Sequence, residues 1–358
     1  MFKKILFILI GITSLVIFCQ KSPKEMTWLD GFPKDFAAHD KVMMVDFFDE
    51  GCAPCMRLLG ETFTDPNVVD FCQKNLVTYK VHAWWEENKP IREANQVYGI
   101  PTLIFFNPKG EEIERLVGFR DADTFIREVT DILNGKGTYL SLKKQYETEP
   151  DNMDVLYQLA LKESKIGRKG DANSHALWEK LMENSEPGSP REEEAELHYR
   201  TGILWAEEHP EGLIDFMNKI DNKEYIMDAL HSLTDYYNYQ KDTTLEVKYT
   251  QKYSDYIMQH PEIMDTLGTI SAMNGYAWRM TELNQNLDDA LVKIDYAVSL
   301  FPANIDTSFK VAVVDTKAEV HWKLGDKETA LRLTDECLKD TPNDGYLIKK
   351  RKAILGED

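Results

Sequence analysis

Val42, Met43, Met44, Val45, Asp46, Phe47 and Phe48 form an apolar run of strand length broken by a single acid. After three intervening residues come Cys52, Ala53, Pro54 and Cys55, and then Met56, Arg57, Leu58 and Leu59, which suit a helix. Gly51 is expected to allow a tight turn between the two. The stretch therefore reads as a buried strand that turns into a helix with two cysteines at the join. A thiol at a helix N-terminus faces unpaired backbone N–H groups and the positive end of the dipole, so its thiolate is stabilised. Thiol–disulfide exchange needs that arrangement. The Cys-x-x-Cys spacing alone also serves zinc, clusters and haem. Haem attachment wants a histidine where Met56 stands, and zinc wants two further ligands, for which only Cys72 and His82 offer themselves.

At 358 residues the chain is too long for one small core, and two domains are expected. The net charge of −19 divides into −4 over residues 1–137 and −15 over the remainder. That balance disfavours a nucleic-acid partner, which calls for basic patches. Five cysteines, at 19, 52, 55, 72 and 337, are too few for a disulfide scaffold. There is no phosphate loop, dinucleotide fingerprint or paired-histidine motif, so no cofactor or metal is expected.

Lys3 and Lys4 precede an almost wholly apolar stretch from Ile5 to Phe18. Its length and layout suit a signal peptide over residues 1–19 rather than a membrane span. The stretch stops at Cys19, followed by Gln20, Lys21 and Ser22, and resembles the lipobox of bacterial lipoproteins. Cys19 is therefore the candidate lipidation site and membrane attachment point, although Phe18 stands where a small residue normally precedes the cysteine. Export would place the cysteine pair in the periplasm or cell envelope, where disulfides form.

From 26 to 133 the chain alternates strand-like and helix-like pieces: a lead-in over 28–39, strands over 42–48, 76–81, 102–106 and 112–117, and helices over 52–61, 66–72, 91–98 and 122–133. Asp65 and Pro66 supply an N-cap and a proline at the first helical position. Residues 45–55 resemble the active-site strand of the thioredoxin family, with Asp46 six residues before Cys52 where that family keeps a buried acid. Gly99, Ile100, Pro101, Thr102 and Leu103 look like the family's cis-proline loop, and Lys80 falls where thioredoxins have a lysine near the acid. Residues 62–68 and 118–125 are similar to the C-terminal domain of periplasmic thiol:disulfide interchange proteins. The resemblance implies an α/β thioredoxin fold and protein thiols or disulfides as partners. Tryptophan usually precedes the first cysteine in the family; here it is Gly51.

The roles follow from that resemblance and from the chemistry. Cys52 would be the attacking thiolate and Cys55 the resolving thiol. Pro54 stiffens the turn and tunes the redox poise. Asp46, if buried, would have a raised pKa and exchange a proton with Cys55, with Lys80 modulating it by charge. Pro101 would offer backbone groups to a substrate peptide beside Cys52. Cys72, among Val68, Val69 and Phe71, reads as a buried structural thiol. Trp84 and Trp85 cannot share a strand face, so one is expected to pack and the other to be exposed near the substrate surface.

Residues 134–138 read as a linker, and 139–358 as an all-α, tetratricopeptide-like helical-repeat domain. Ser189, Pro190 and Glu192 make a strong helix start. Ala290, Ala297 and Pro302 recur 40 residues later as Ala330, Cys337 and Pro342, a pattern that resembles the second helix of tetratricopeptide repeats. Such an array would bind a protein or peptide partner. The tyrosines between 225 and 256 are expected to pack between helices. Together these features describe an exported thiol–disulfide oxidoreductase, in a reducing role, with a recruiting repeat domain. The alternatives are an oxidising or isomerising enzyme, and a repeat-based scaffold carrying a redox-inert module.

Overall fold

The computed structural model describes residues 25–166 and 170–357. The expected signal peptide and Cys19 lie outside them. The chain divides into two compact units, the first reaching Lys162 and the second beginning at about Lys169.

The first unit is built on five strands, β1 (Leu29–Asp30), β2 (Val42–Phe48), β3 (Leu76–His82), β4 (Thr102–Phe106) and β5 (Glu112–Val117), in the spatial order β1-β3-β2-β4-β5. β1 and β2 pair parallel to β3, whereas β4 runs antiparallel to both β2 and β5. β2 is central and buried on both sides, which is why its sequence is a near-continuous apolar run rather than an alternation. Its odd and even residues still part company. Met43, Val45 and Phe47 join Tyr79, Val81, Ile104 and Phe106 on one face. Met44 joins Leu58, Phe63, Val68, Leu103, Phe105 and Phe125 on the other, and alternation puts Asp46 on that same side.

Helices α1 (Ala53–Arg57), α2 (Pro66–Asn75), α3 (Lys89–Ala94) and α4 (Ala122–Leu133) complete the α/β part. α1 runs directly into a wider π-type turn, Leu58–Thr62, so the expected helix over 52–61 is present but changes pitch. Asp65 caps α2 by accepting from the N–H groups of Asn67 and Val68, with Pro66 at the first helical position. The lead-in over 28–39 contains β1 and a single 3₁₀ turn, Phe36–Ala38. α3 stops earlier than the expected 98, because Gln96 takes a left-handed φ of 51°.

The compact unit extends past residue 133. Helices α5 (Tyr139–Thr148) and α6 (Met153–Glu163) follow, and Glu114 on β5, 4% exposed, ties them to the sheet. It accepts from the Tyr139 N–H at 3.3 Å and pairs with the Lys162 ammonium. These helices cover an edge strand that would otherwise offer its unpaired backbone groups to other chains.

The second unit is all-α. Its helices are α7 (Gly170–Glu183), α8 (Pro190–Glu207), α9 (Glu211–Met217), α10 (Lys223–Gln240), α11 (Thr243–Gln259), α12 (Thr266–Leu283), α13 (Leu287–Ser299), α14 (Thr307–Lys323), α15 (Lys327–Asp340) and α16 (Gly345–Leu355). They pack chiefly as sequential pairs, α7 with α8, α10 with α11, α12 with α13 and α14 with α15, an arrangement that fits a helical repeat. α10, α12 and α14 begin 43 and 41 residues apart. Ala290, Ala297, Ala330 and Cys337 are all buried on the second helices of their pairs, where small side chains let helices approach. Ser189 caps α8 from the Glu192 N–H, while the Glu192 carboxylate returns to the Gly188 N–H, one residue before the cap. Tyr236, Tyr237 and Tyr249 are buried between helices as expected, and Tyr239 is exposed. Among the described residues no helix is long and apolar enough to cross a membrane.

Candidate active site

β2 delivers the site. It ends at Phe48, and the backbone turns through Asp49, Glu50 and Gly51 into Cys52, the N-cap of α1. The turn does not use the conformational freedom of glycine. Gly51 is outside the left-handed region, and its N–H donates to Asp49 Oδ1 at 2.7 Å. This corrects the sequence expectation: an Asp49 side-chain hydrogen bond, rather than the glycine backbone, closes the turn. A Cβ at residue 51 would stand 3.0 Å from that same oxygen.

Cys52 and Cys55 are joined by a disulfide, with Cα atoms 5.2 Å apart. Cys52 is half-buried and Cys55 is 1% exposed, so a partner in solution reaches only the first sulfur. The Cys55 N–H donates to Cys52 Sγ at 3.2 Å. A backbone N–H aimed at the first sulfur is the kind of donor that stabilises a thiolate at a helix N-terminus. Pro54 occupies the second helical position, where its missing N–H costs no helical hydrogen bond.

The Ile100–Pro101 peptide is cis, and its loop closes over the first sulfur. Cys52 Sγ lies 3.7 Å from the Ile100 carbonyl oxygen. Pro101 is buried, and its carbonyl accepts the Gly118 N–H at 2.8 Å, which anchors the loop to the end of β5.

Asp46 is 1% exposed, and neither carboxylate oxygen has a hydrogen-bond partner. Burial raises its pKa from 3.8 to about 7, while the charge of Lys80 works in the opposite direction. Lys80 is the register partner of Asp46 on β3 and acts through space. Its ammonium lies 5.0 Å from the Phe48 ring centroid and 5.9 Å from that of Trp28. An unpartnered buried carboxylate with a pKa near neutrality can both accept and return a proton at ordinary pH.

The sequence reading passed over a second cluster. His82 is opposite Phe48 in the β2–β3 register, and its Nε2 reaches Glu50 Oε2 at 2.6 Å and Asp49 Oδ2 at 3.1 Å. Its Nδ1 is buried without a partner, and carboxylates only accept, so the proton resides on Nε2. His82 thus clamps the turn that carries Cys52. The clue was its position two residues beyond Lys80 on the neighbouring strand, legible only once the register is known. Asp49, Glu50 and His82 are also the group, among the described residues, whose ligand atoms lie within 4.8 Å of one another. Glu50 is open to solvent and held below its usual pKa, first by its own backbone N–H and then by His82.

Neither Trp84 nor Trp85 packs into the core, against expectation; they are 45% and 53% exposed. Trp85 stacks on His82 at 4.5 Å, and Trp84 lies under the Arg92 guanidinium at 4.7 Å. Both follow the C-terminal end of β3, where the chain leaves the sheet. Cys72 and Cys337 are buried free thiols, and burial pushes each up to about 12.

Comparison with known proteins agrees with this geometry. A family model described as "Thioredoxin-like domain" matches residues 33–133. Over 92 residues the chain is 36% identical to "Thiol:disulfide interchange protein DsbD" of Tatumella citrea, a match covering 25% of this chain and 16% of that protein. With the protein of the same name from Haemophilus influenzae (strain PittGG) it shares 33% identity over 96 residues, 26% of this chain and 16% of the relative. The chain thus spans about 16% of the length of these curated relatives. Among solved structures, a thioredoxin from Thermus thermophilus is 28% identical, covering 32% of this chain and 91% of its own, with a TM-score of 0.29. A putative disulphide-isomerase from Bacteroides thetaiotaomicron is 30% identical, covering 32% and 97%, also with a TM-score of 0.29. The family-model match spans the cysteine pair, the acid and the proline loop. Residues 33–133 are therefore a thioredoxin-like domain with a Cys52–Cys55 pair, homologous to the interchange proteins.

Proposed function

We propose that the protein is a thiol–disulfide oxidoreductase that reduces protein disulfides, and that it is exported to the cell envelope. The observation that carries this reading is the half-buried Cys52 sulfur, bonded to a buried Cys55 and approached by the Cys55 N–H, just past the end of the strand that holds the buried Asp46.

In the reduced enzyme the Cys52 thiolate attacks one sulfur of the partner disulfide. A mixed disulfide forms, and the first partner thiolate leaves and takes up a proton. Asp46, as carboxylate, accepts the proton of the Cys55 thiol. The Cys55 thiolate then attacks Cys52 Sγ, and the second partner thiolate departs and is protonated in turn. Two protein thiols become one disulfide and one partner disulfide becomes two thiols. An external dithiol restores the starting state. The reaction draws on the cysteine pair alone, without a metal or cofactor. Pro54 tunes the poise, and Pro101 presents the loop against which the partner backbone lies.

The reducing direction is favoured by Pro54 and by likeness to the interchange proteins. Export follows from the positive and apolar N-terminal layout, with lipid attachment at Cys19. The second unit, a tetratricopeptide-like array in this reading, recruits a protein partner. Disulfide reduction by the reduced full-length protein tests the chemistry. Cys52→Ser should abolish it, and Cys55→Ser should accumulate mixed disulfides. Undiminished turnover by Cys52→Ser would refute the mechanism.

A further inference from the structure

A continuous rim runs away from Cys52 on one side. Gly51 presents no side chain, so the surface next to the reactive sulfur passes directly to Glu50, then to His82, and then to the Trp85 ring stacked on it. Beyond it the chain continues through Glu86 and Glu87, both exposed, in a short 3₁₀ turn. Trp84 and Trp85 remain 45% and 53% exposed although Arg92 lies over the Trp84 ring and His82 stacks on one face of Trp85, and large exposed apolar side chains grouped together mark interaction sites. Their surroundings are acidic. Asp49, Glu50, Glu86 and Glu87 all lie on this rim. The cations nearby are mostly engaged or recessed. Arg92 is over Trp84 and pairs with Glu93 and the Ala83 carbonyl. Lys80 sits between the Phe48 and Trp28 rings. Lys89 stands exposed at the start of α3, and Lys34 lies across the adjoining cleft of about 850 Å3, which Trp85 and Glu87 line together with Asp30 and Lys80.

The exposed part of the Trp85 indole, beside carboxylates, suits one kind of side chain above others. A guanidinium or ammonium gains from the ring quadrupole and from the negative potential at once. An acidic partner would meet repulsion, and a purely apolar one would strip water from the carboxylates without return.

We propose that Trp84 and Trp85, with Asp49, Glu50, Glu86 and Glu87 around them, form the docking lip for the partner, and that the partner carries an arginine or lysine beside its reactive cysteine. This rests on the disulfide-reductase reading and adds a specificity to it. His82 is the positioning residue of the lip, since its Nε2 edge holds Glu50 and Asp49 and its ring face supports Trp85.

The test uses the full-length protein, reduced with dithiothreitol and freed of excess reagent. It is mixed in single turnover with two disulfide-closed peptides that differ only in arginine or glutamate next to each cysteine, and with hydroxyethyl disulfide. The arginine peptide should react about 10-fold faster than the glutamate peptide at low salt, the lower end of electrostatic steering. The ratio should shrink as ionic strength rises and the Debye length falls to about 8 Å. Glu86→Gln combined with Glu87→Gln, both exposed, should bring the ratio toward one. Trp85→Ala should slow the arginine peptide by about 2- to 5-fold, the value of an exposed cation–π contact, with a smaller effect on the glutamate peptide. Equal rates for the two peptides, with hydroxyethyl disulfide still reduced, overturn the docking lip alone. Failure to reduce any of the three disulfides overturns the oxidoreductase reading beneath it.

Discussion

Replacing Asp46 with asparagine gives the sharpest test of how the buried acid is held. Its folded pKa is about 7, against about 3.9 for an unstructured aspartate, and at 1.36 kcal/mol per pH unit the difference amounts to about 4 kcal/mol. The sign follows from proton linkage. Between pH 4 and pH 7 the folded state binds a proton that the unfolded state has released. The contribution of Asp46 to stability is therefore fully present below pH 4, falls as pH rises toward 7, and is flat above it. The substituted asparagine cannot ionise, so the variant lacks this slope, and its own buried amide adds only a constant offset. Hydrogen exchange of peptides from β2 reports opening of the first unit without interference from the helical one. In the wild type the β2 opening free energy should drop by several kcal/mol between pH 4.5 and pH 8.5 relative to Asp46→Asn. Parallel profiles for the two proteins would refute the claim that burial of an unpartnered carboxylate governs this site.

Other outcomes follow from the same structure. Lys293, 1% exposed, bridges Asp255 and Asp289 at 2.7 Å each, and Asp289 also accepts the Tyr276 hydroxyl at 2.5 Å. Lys293→Met leaves two part-exposed carboxylates without the cation between them, a loss that water screens, and should cost on the order of 1 kcal/mol in denaturant unfolding of the second unit. Ser189→Ala removes the α8 cap and should cost about 1 kcal/mol by the same measurement. Cys72 and Cys337, with thiols raised to about 12, should resist iodoacetamide at pH 7.5 in the native protein and react on unfolding. Mass spectrometry of the alkylated peptides checks this.

Much of the thioredoxin-like domain was legible because its signals are local or repeat at short range. The apolar run of β2, the Asp65–Pro66 start of α2 and the cysteine pair each announce themselves within a few residues. β1 was missed because two exposed residues carry no periodicity; only their pairing with Tyr79 and Lys80 makes them a strand. The His82 clamp was missed for a related reason, since it depends on a register between strands more than 30 residues apart. The tryptophan pair was misjudged because strand alternation was applied to residues that had already left the sheet. In the second unit, the 40-residue recurrence of small residues pointed correctly to buried helix contacts. The seven-residue helix α9, between two 18-residue ones, follows no repeat that its sequence announces.

The Glu114 connection carries a consequence for what can be separated from what. Family similarity ends at residue 133, yet the strand at that edge holds a nearly inaccessible carboxylate whose ammonium partner, Lys162, stands 29 residues further on. A fragment cut at the similarity boundary would keep every redox residue and lose that partner together with the two helices that shield β5. It would open that edge strand to pairing with other chains and return the Glu114 carboxylate to water, without its ion pair. The compact unit that holds the redox residues runs to residue 162. Those two helices have become part of the redox module's own architecture, whatever fold they descended from.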